Sequence, residues 1–303
     1  MGVLYFLEKL RVPVLNEFML AVTTLGEETA FLVAALIVFW CVDKRKGYYV
    51  MAVGFLGTMF NQFLKLLCRI PRPWVLDENF TILEQAREAA TGYSFPSGHS
   101  QNAVGTFGAI AHTTQKKWLK RVCIAIAVLV PLSRMYVGVH TPYDVLVGSG
   151  MALILVLCLK PVVLEKDEKA MRCLIGCMVL LAAGLFLYVQ LYPFPADVDA
   201  ANLESGMKNA CTMLGCVAGV ECVYPTEKKY VNFETKACWW AQILKVVLGL
   251  AVVLLVKAGL RAPLEAVFNV YAARIIRYFL IVVAAGLLWP MTFRWFSELG
   301  VKK

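Results

Sequence analysis

Charge is scarce in this 303-residue chain: Asp, Glu, Lys and Arg supply 17% of it, against 60% for the hydrophobic types. A soluble domain carries about 25% charged and about 45–50% apolar residues, so the deficit excludes a soluble globular enzyme, a disordered chain and a nucleic-acid-binding module. Internal repeats and low-complexity tracts are absent as well. So is a secretory signal: residues 1–25 mix Leu4, Phe6, Leu7 and Leu10 with Glu8, Lys9 and Arg11 before Pro13, without a basic start, a clean apolar core or a small-residue cleavage site. That segment reads as an interfacial amphipathic helix.

What the chain has instead is apolar runs without a single charge, at 47–64, 100–115, 145–159, 173–196, 246–256 and 278–293. A helix needs about 20 mostly apolar residues to cross the hydrocarbon core, and with their flanks these runs predict about eight spans: 26–43, 47–67, 99–115, 119–138, 142–160, 172–193, 239–257 and 274–293. Backbone in lipid must satisfy its own hydrogen bonds, and runs of this length suit helices rather than barrel strands. The expected fold class is therefore all-α, a polytopic integral membrane helical bundle. The net charge of +9 falls in short clusters between the runs. Segments 43–46, 116–121, 160–172 and 257–277 hold 15 of the 30 basic residues, and eight spans put all four on one side, the cytoplasm by the positive-inside rule. The opposite, outward side then holds 69–98, the 134–140 turn and a loop at 195–238.

That loop carries Cys211, Cys216, Cys222 and Cys238. An exported loop with four cysteines is expected to hold two disulfides; a zinc site is disfavoured by the spacing and by the lack of a histidine in the loop. The other six cysteines sit in or beside apolar runs as small buried hydrophobes.

Polar residues stand where this composition predicts none in three stretches, all at span ends on the same expected face. Lys65 and Arg72 are seven residues apart, so on a helix they share a face until Pro71 and Pro73 break it. Pro96-Ser97-Gly98-His99 forms a turn directly before an apolar run. Ser97 there is a candidate cap, and bare N–H groups at a helix start, Gly98 included, make an anion site. In the third stretch Ser133 and Arg134 precede His140, Thr141, Pro142 and Asp144. Thr141 followed by Pro142 reads as a cap with proline in the first turn, which leaves His140 just outside a helix and Asp144 inside it, able to orient the imidazole. Each piece alone has a bland reading: snorkelling cations, an ordinary turn, a structural histidine. Together they place two of only three histidines beside three cations. His112 matches no such pattern and reads as a packed helix residue. Trp74, Tyr93 and Phe95 read as interface aromatics.

The order Lys-x6-Arg-Pro, Pro-Ser-Gly-His, Ser-Arg-x5-His-x3-Asp resembles, without a substitution, the signature of the type 2 phosphatidic acid phosphatase superfamily, over residues 65–144. The resemblance implies a metal-independent phosphatase without cofactor. In it His140 is the nucleophile that forms a phosphohistidine, Asp144 orients its ring, His99 is general acid and then base, and Lys65, Arg72, Ser97, Gly98 and Arg134 bind phosphate. The expected organisation is a phosphatase core at 26–160 and a three-helix membrane extension at 161–303. The extension could shape a lipid groove, a homo-oligomer surface or an anchor for the cysteine loop. A site at span ends meets lipid headgroups first, so a lipid phosphate or pyrophosphate within the bilayer is the expected substrate, and a bacterial plasma membrane with an outward-facing site the expected location. Two rivals are a phosphatase of soluble sugar phosphates, like glucose-6-phosphatase, and a transporter or lipid-binding protein on a retired phosphatase core. The intact His99, His140 and Asp144 argue against the second.

Overall fold

The computed structural model describes residues 1–88, 90–196 and 198–299, and among them the only regular structure is helical. In chain order the helices are α1 (Gly2–Lys9), α2 (Pro13–Thr24), α3 (Glu28–Ile37), α4 (Lys44–Cys68), α5 (Pro73–Leu76), α6 (Gly98–Thr113), α7 (Lys117–Tyr136) and α8 (Pro142–Lys160). They continue with α9 (Glu168–Leu191), α10 (Ala200–Thr226), α11 (Trp239–Gly259), α12 (Arg261–Val267), α13 (Val270–Val283) and α14 (Phe293–Glu298).

Among the described residues five helical stretches are long and apolar enough to cross a membrane: Lys44–Leu76, Pro142–Glu165, Glu168–Leu191, Trp239–Val267 and Val270–Glu298. A sixth arises if α2 and α3, bent by 55° at their junction, count as one span. The eight expected spans differ from these for physical reasons. α6 has only 16 residues and buries Ser100, Gln101, Asn102 and Thr106, so it is sheltered by protein rather than by lipid. α7 carries Lys117, Lys120 and Arg121 at its start and Arg134 in its last turn. The amphipathic segment is two helices, α1 and α2, broken at residues 10–12, and it leaves Phe6, Leu10, Val14 and Phe18 exposed, apolar residues suited to the headgroup boundary.

The chain forms two compact units. The first comprises Met1–Ala34, Tyr49–Pro161 and Phe194–Gly206. Its centre is α6, packed on α7 and α8, with α1 and α2 fastened to the end of α7: Arg11 Nε donates to the Tyr136 carbonyl at 3.1 Å and the Tyr136 hydroxyl to Asn16 Oδ1 at 2.7 Å. The second unit comprises Ala35–Tyr48, Val162–Pro193 and Met207–Lys303. It is built on buried aromatics, including Phe39, Trp40, Phe233, Phe293 and Phe296, most of them in edge-to-face contacts.

The cysteine loop expected at 195–238 is corrected by α10, a 27-residue helix about 40 Å long. Cys211, Cys216 and Cys222 lie on this one helix, and all four cysteines are free thiols. Cys211 and Cys216 are buried and act as small packing residues. Gly215 and Gly219 let α10 approach α13, since a Cβ at either would come within 2.4 Å of the Ile275 carbonyl oxygen or 2.7 Å of Val282. This is the small-residue spacing that lets membrane helices touch. The side assignment of this segment changes as well. Glu227 pairs with Lys44 at 3.0 Å, Lys228 pairs with Glu168 at 2.6 Å, and Arg45 donates to the Lys166 carbonyl at 2.7 Å. Residues 227–228 therefore lie beside the 43–46 and 160–172 clusters, not across the membrane from them.

Candidate active site

All eight residues singled out in the sequence fall in the first unit. Lys65 lies in the last turn of α4, Arg72 precedes α5, Ser97 caps α6 with Gly98 and His99 as its first residues, Arg134 lies in the last turn of α7, and His140 and Asp144 flank the start of α8. The Phe95–Pro96 peptide in the turn before α6 is cis.

Local chemistry fixes each element. Thr141 and Asp144 form a reciprocal capping box: the Thr141 hydroxyl accepts from the Asp144 N–H at 3.3 Å, and Asp144 Oδ2 accepts from the Thr141 N–H at 2.7 Å. The same carboxylate accepts from the Ser94 hydroxyl at 2.6 Å and lies 3.5 Å from His140 Nδ1. The Ser97 N–H donates to the Asp144 carbonyl at 2.9 Å, which ties the α6 turn to the α8 start. Gly148 permits this approach, because a Cβ there would lie 2.5 Å from the Ser97 carbonyl oxygen. The Ser97 hydroxyl accepts from the Ser100 N–H and hydroxyl, so its own proton is available to an anion.

The imidazole tautomer follows from its partners. Arg72 Nη1 lies 2.9 Å from His140 Nε2, and a guanidinium only donates, so Nε2 is the lone-pair nitrogen and Nδ1 carries the proton toward Asp144. Burial first, and then Arg72, hold His140 well below the ordinary imidazole range, so the ring is neutral. Arg72 also donates to the carbonyls of Gly92, Val139 and Thr91 at 3.1, 3.0 and 2.7 Å. The Lys65 ammonium donates to the Tyr93 carbonyl.

Charge is the outstanding property of this interior. Lys65, Arg72 and Arg134 are buried, at 7%, 6% and 0% exposure, beside one buried carboxylate, Asp144. Arg134 Nε and Nη2 and His99 Nε2 are out of solvent reach and lack a hydrogen-bond partner among the described residues. Unpaired buried donors and excess buried positive charge are costly, and a dianion removes both penalties.

Three site residues escaped the sequence reasoning. Thr23 accepts from Arg134 Nη1 at 2.7 Å. Ser94 binds Asp144. Asn61 donates to the Pro96 carbonyl at 3.3 Å, and its Oδ1 has no partner among the described residues. Asn61 stands four residues before Lys65, on the same face of α4, which is a signal; the other two carry none. Trp74 and Tyr93 are not simple interface aromatics: Trp74 lies under the guanidinia of Arg72 and Arg87, and Tyr93 is buried.

Residues 45–168 match the PAP2 superfamily, and residues 207–301 match the transmembrane extension of PAP2 superfamily phosphatases. The chain is 32% identical to phosphatidylglycerophosphatase B of Bacillus subtilis over 176 residues, 54% of this chain and 80% of that protein. It is 30% identical to an undecaprenyl-diphosphatase of Sulfolobus acidocaldarius over 139 residues, 46% of this chain and 66% of the relative. Identity to rat sphingosine-1-phosphate phosphatase 1 is 22% over 206 residues, 66% of this chain and 46% of the relative. No solved structure matches the chain. With the first match covering the three buried cations and the second the last two apolar spans, the chain belongs to the PAP2 superfamily and is an integral membrane phosphatase.

Proposed function

We propose that the protein hydrolyses lipid phosphate or pyrophosphate esters at the outer face of a bacterial plasma membrane, through a phosphohistidine on His140. The observation that carries this reading is the set of three buried cations, Lys65, Arg72 and Arg134, around a neutral His140 whose Nε2 lone pair is held 2.9 Å from Arg72. The names of the relatives, which include a phosphatidylglycerophosphatase and an undecaprenyl-diphosphatase, support a lipid substrate.

On phosphate entry Arg72 exchanges its contact with Nε2 for the phosphate oxygens and frees the lone pair. Nε2 attacks phosphorus as the bond to the leaving oxygen breaks, and His99, protonated once the phosphate dianion offsets the cations around it, gives that proton to the leaving oxygen and is left as the neutral imidazole. Asp144 stabilises the charge that grows at Nδ1. Water then attacks the phosphohistidine, His99 takes its proton, and the P–N bond electrons return to Nε2. Lys65, Arg72 and Arg134, with the Ser97 hydroxyl and Gly98 N–H, bind the equatorial oxygens throughout, so the charge stabilisation that dominates phosphoryl transfer comes from the chain's own cations. EDTA is expected to leave the reaction unaffected.

The test is phosphate release in detergent with EDTA by wild type and His140→Ala, on a polyprenyl diphosphate, phosphatidic acid, phosphatidylglycerol phosphate, sphingosine phosphate and glucose 6-phosphate. Turnover of lipids by wild type alone is expected. Turnover confined to glucose 6-phosphate, or equal turnover by the variant, refutes the reading.

A further inference from the structure

The packing of α13 on α10, within the second unit, places the basic segment 257–277. A Cβ on Gly215 would meet the Ile275 carbonyl oxygen at 2.4 Å, one on Gly219 the Val282 side chain at 2.7 Å, and one on Gly286 the Val223 side chain at 2.6 Å. Residue numbers rise together along the two helices, so α10 and α13 run side by side in the same direction. The Lys44–Glu227 pair stands at their later end. Arg274 and Arg277 stand at the other, among the first eight residues of the apolar span Val270–Glu298. There Arg274 Nε donates to the Thr212 hydroxyl at 2.7 Å, and Thr212 lies about 20 Å along α10 from the end of that helix at Thr226. The two arginines therefore stand toward the opposite membrane boundary from residues 43–46, which corrects the expectation that 257–277 shares a side with them.

No carboxylate among the described residues lies within ion-pair distance of either guanidinium, and Arg277 makes no hydrogen bond to them. Arg277 is 8% exposed, and its Nε is buried without a partner. A snorkelling arginine delivers its charge to water; this one is packed into the unit instead. Arg274 is half-buried, and the Thr212 hydroxyl is its one hydrogen-bond partner among the described residues. Both guanidinia lie against one ring, 5.4 and 5.5 Å from the centre of Tyr278, and their spacing of three residues makes them neighbours on the helix surface. Ionised side chains within a span are expensive and call for a partner. The partner that these two call for is negative.

We propose that Arg274 and Arg277 bind the phosphate of an anionic phospholipid, with the Thr212 hydroxyl holding the first guanidinium in place. The guanidinium fork matches two phosphate oxygens at once. Headgroup phosphates lie at the depth where an apolar span begins, and a basic pocket between membrane helices suits an anionic headgroup. Net negative charge is the requirement, because the ammonium of a zwitterionic headgroup opposes the two arginines. The site lies wholly in the second unit, and none of its residues belongs to the set around His140. Lipid bound there is held, not turned over.

Thermal unfolding in micelles of a neutral detergent is followed for wild type, Arg274→Gln, Arg277→Gln and the double variant as phosphatidylglycerol, phosphatidylcholine or inorganic phosphate is added, since a ligand of the folded state alone raises the unfolding temperature. Comparison of wild type with the variants cancels whatever binds at the His140 site. Wild type is expected to respond to phosphatidylglycerol at lower concentration than to phosphatidylcholine. Loss of a hydrogen bond to a charged group predicts that each single variant needs about 10-fold more phosphatidylglycerol for the same response, and the double variant should treat the two lipids alike. A wild type that does not distinguish the lipids, or a double variant as responsive as wild type, overturns the proposal. A difference between wild type and double variant that appears with inorganic phosphate and not with lipid overturns the lipid occupant in favour of the free ion. The Arg274→Lys, Arg277→Lys pair covers the case in which the glutamine pair does not fold: it keeps both charges without the forks, a weaker preference for phosphatidylglycerol is expected of it, and an undiminished preference refutes the arginine assignment.

Discussion

Replacing Thr23 by valine removes one hydroxyl from the phosphate site and leaves the volume almost unchanged. That hydroxyl accepts from Arg134 Nη1 at 2.7 Å, with Thr23 at 6% and Arg134 at 0% exposure. Among the described residues it is the one hydrogen bond that holds the Arg134 side chain, whose Nε and Nη2 have no partner there. A hydrogen bond to a charged group contributes about 1.5–3 kcal/mol. If the loss is felt fully where Arg134 meets the transition state, about 1.4 kcal/mol per factor of ten gives a fall in kcat/KM of about 10- to 150-fold. Phosphate itself orients Arg134 once bound, so the lower part of that range is expected in kcat and the larger share in KM. Thr23→Ser keeps the hydroxyl and should stay within about threefold of wild type. Phosphate release by the three purified proteins in detergent measures this, with thermal unfolding as the check on folding. A folded Thr23→Val within twofold of wild type refutes the reasoning. So does a Thr23→Ser variant as impaired as the valine, because packing of the methyl group would then be the cause.

Further outcomes follow from the same geometry. His99→Ala should lose about 10²- to 10⁴-fold on lipid esters, yet on p-nitrophenyl phosphate, whose leaving group needs no acid, it should accumulate an acid-labile phosphoenzyme in rapid-quench experiments; absence of that species removes His99 from the second step. Gly148→Ala puts a methyl group 2.5 Å from the Ser97 carbonyl oxygen, and such overpacking costs about 1–3 kcal/mol; a lowered unfolding temperature together with reduced turnover is expected, and an unchanged variant would show that the turn is not held as described. All ten cysteines are free thiols, so alkylation of the unfolded, unreduced protein should add ten labels by mass spectrometry, and two or four fewer would restore the disulfides that the sequence suggested.

The residues proposed for the chemistry stand out in the sequence because they break the composition around them. Lys65, Arg72, Arg134, His99 and His140 are polar side chains at the ends of apolar runs, and the structure gathers them into one cluster in which all but the half-buried His99 are buried. The long apolar helices were legible for the same reason, since α4, α8, α9, α11 and α13 carry their signal in hydropathy alone. α6 was legible as a helix but not as one shielded by protein, because Ser100, Gln101 and Asn102 show their burial only in the packed bundle. α10 was missed because Lys208, Asn209 and Glu221 dilute its hydropathy and four cysteines invited a disulfide reading. Its helical period was nonetheless present: Met207, Ala210, Met213, Val217, Val220 and Tyr224 recur every three or four residues, and all are buried. Thr23 was invisible for a different reason. It lies 111 residues from Arg134 in the chain, and no local pattern marks a hydroxyl that acts at such a distance.

The central claim is covalent: phosphorus passes through His140 Nε2. The measurement that tests it most directly is rapid acid-free quenching of wild type and His140→Ala during turnover of a lipid substrate radiolabelled in the transferred phosphate, followed by peptide mapping. The account predicts base-stable, acid-labile label on the peptide holding His140 in wild type, formed before phosphate is released, and none in the variant. Full turnover without any protein-bound label, or label on a residue other than His140, would contradict it.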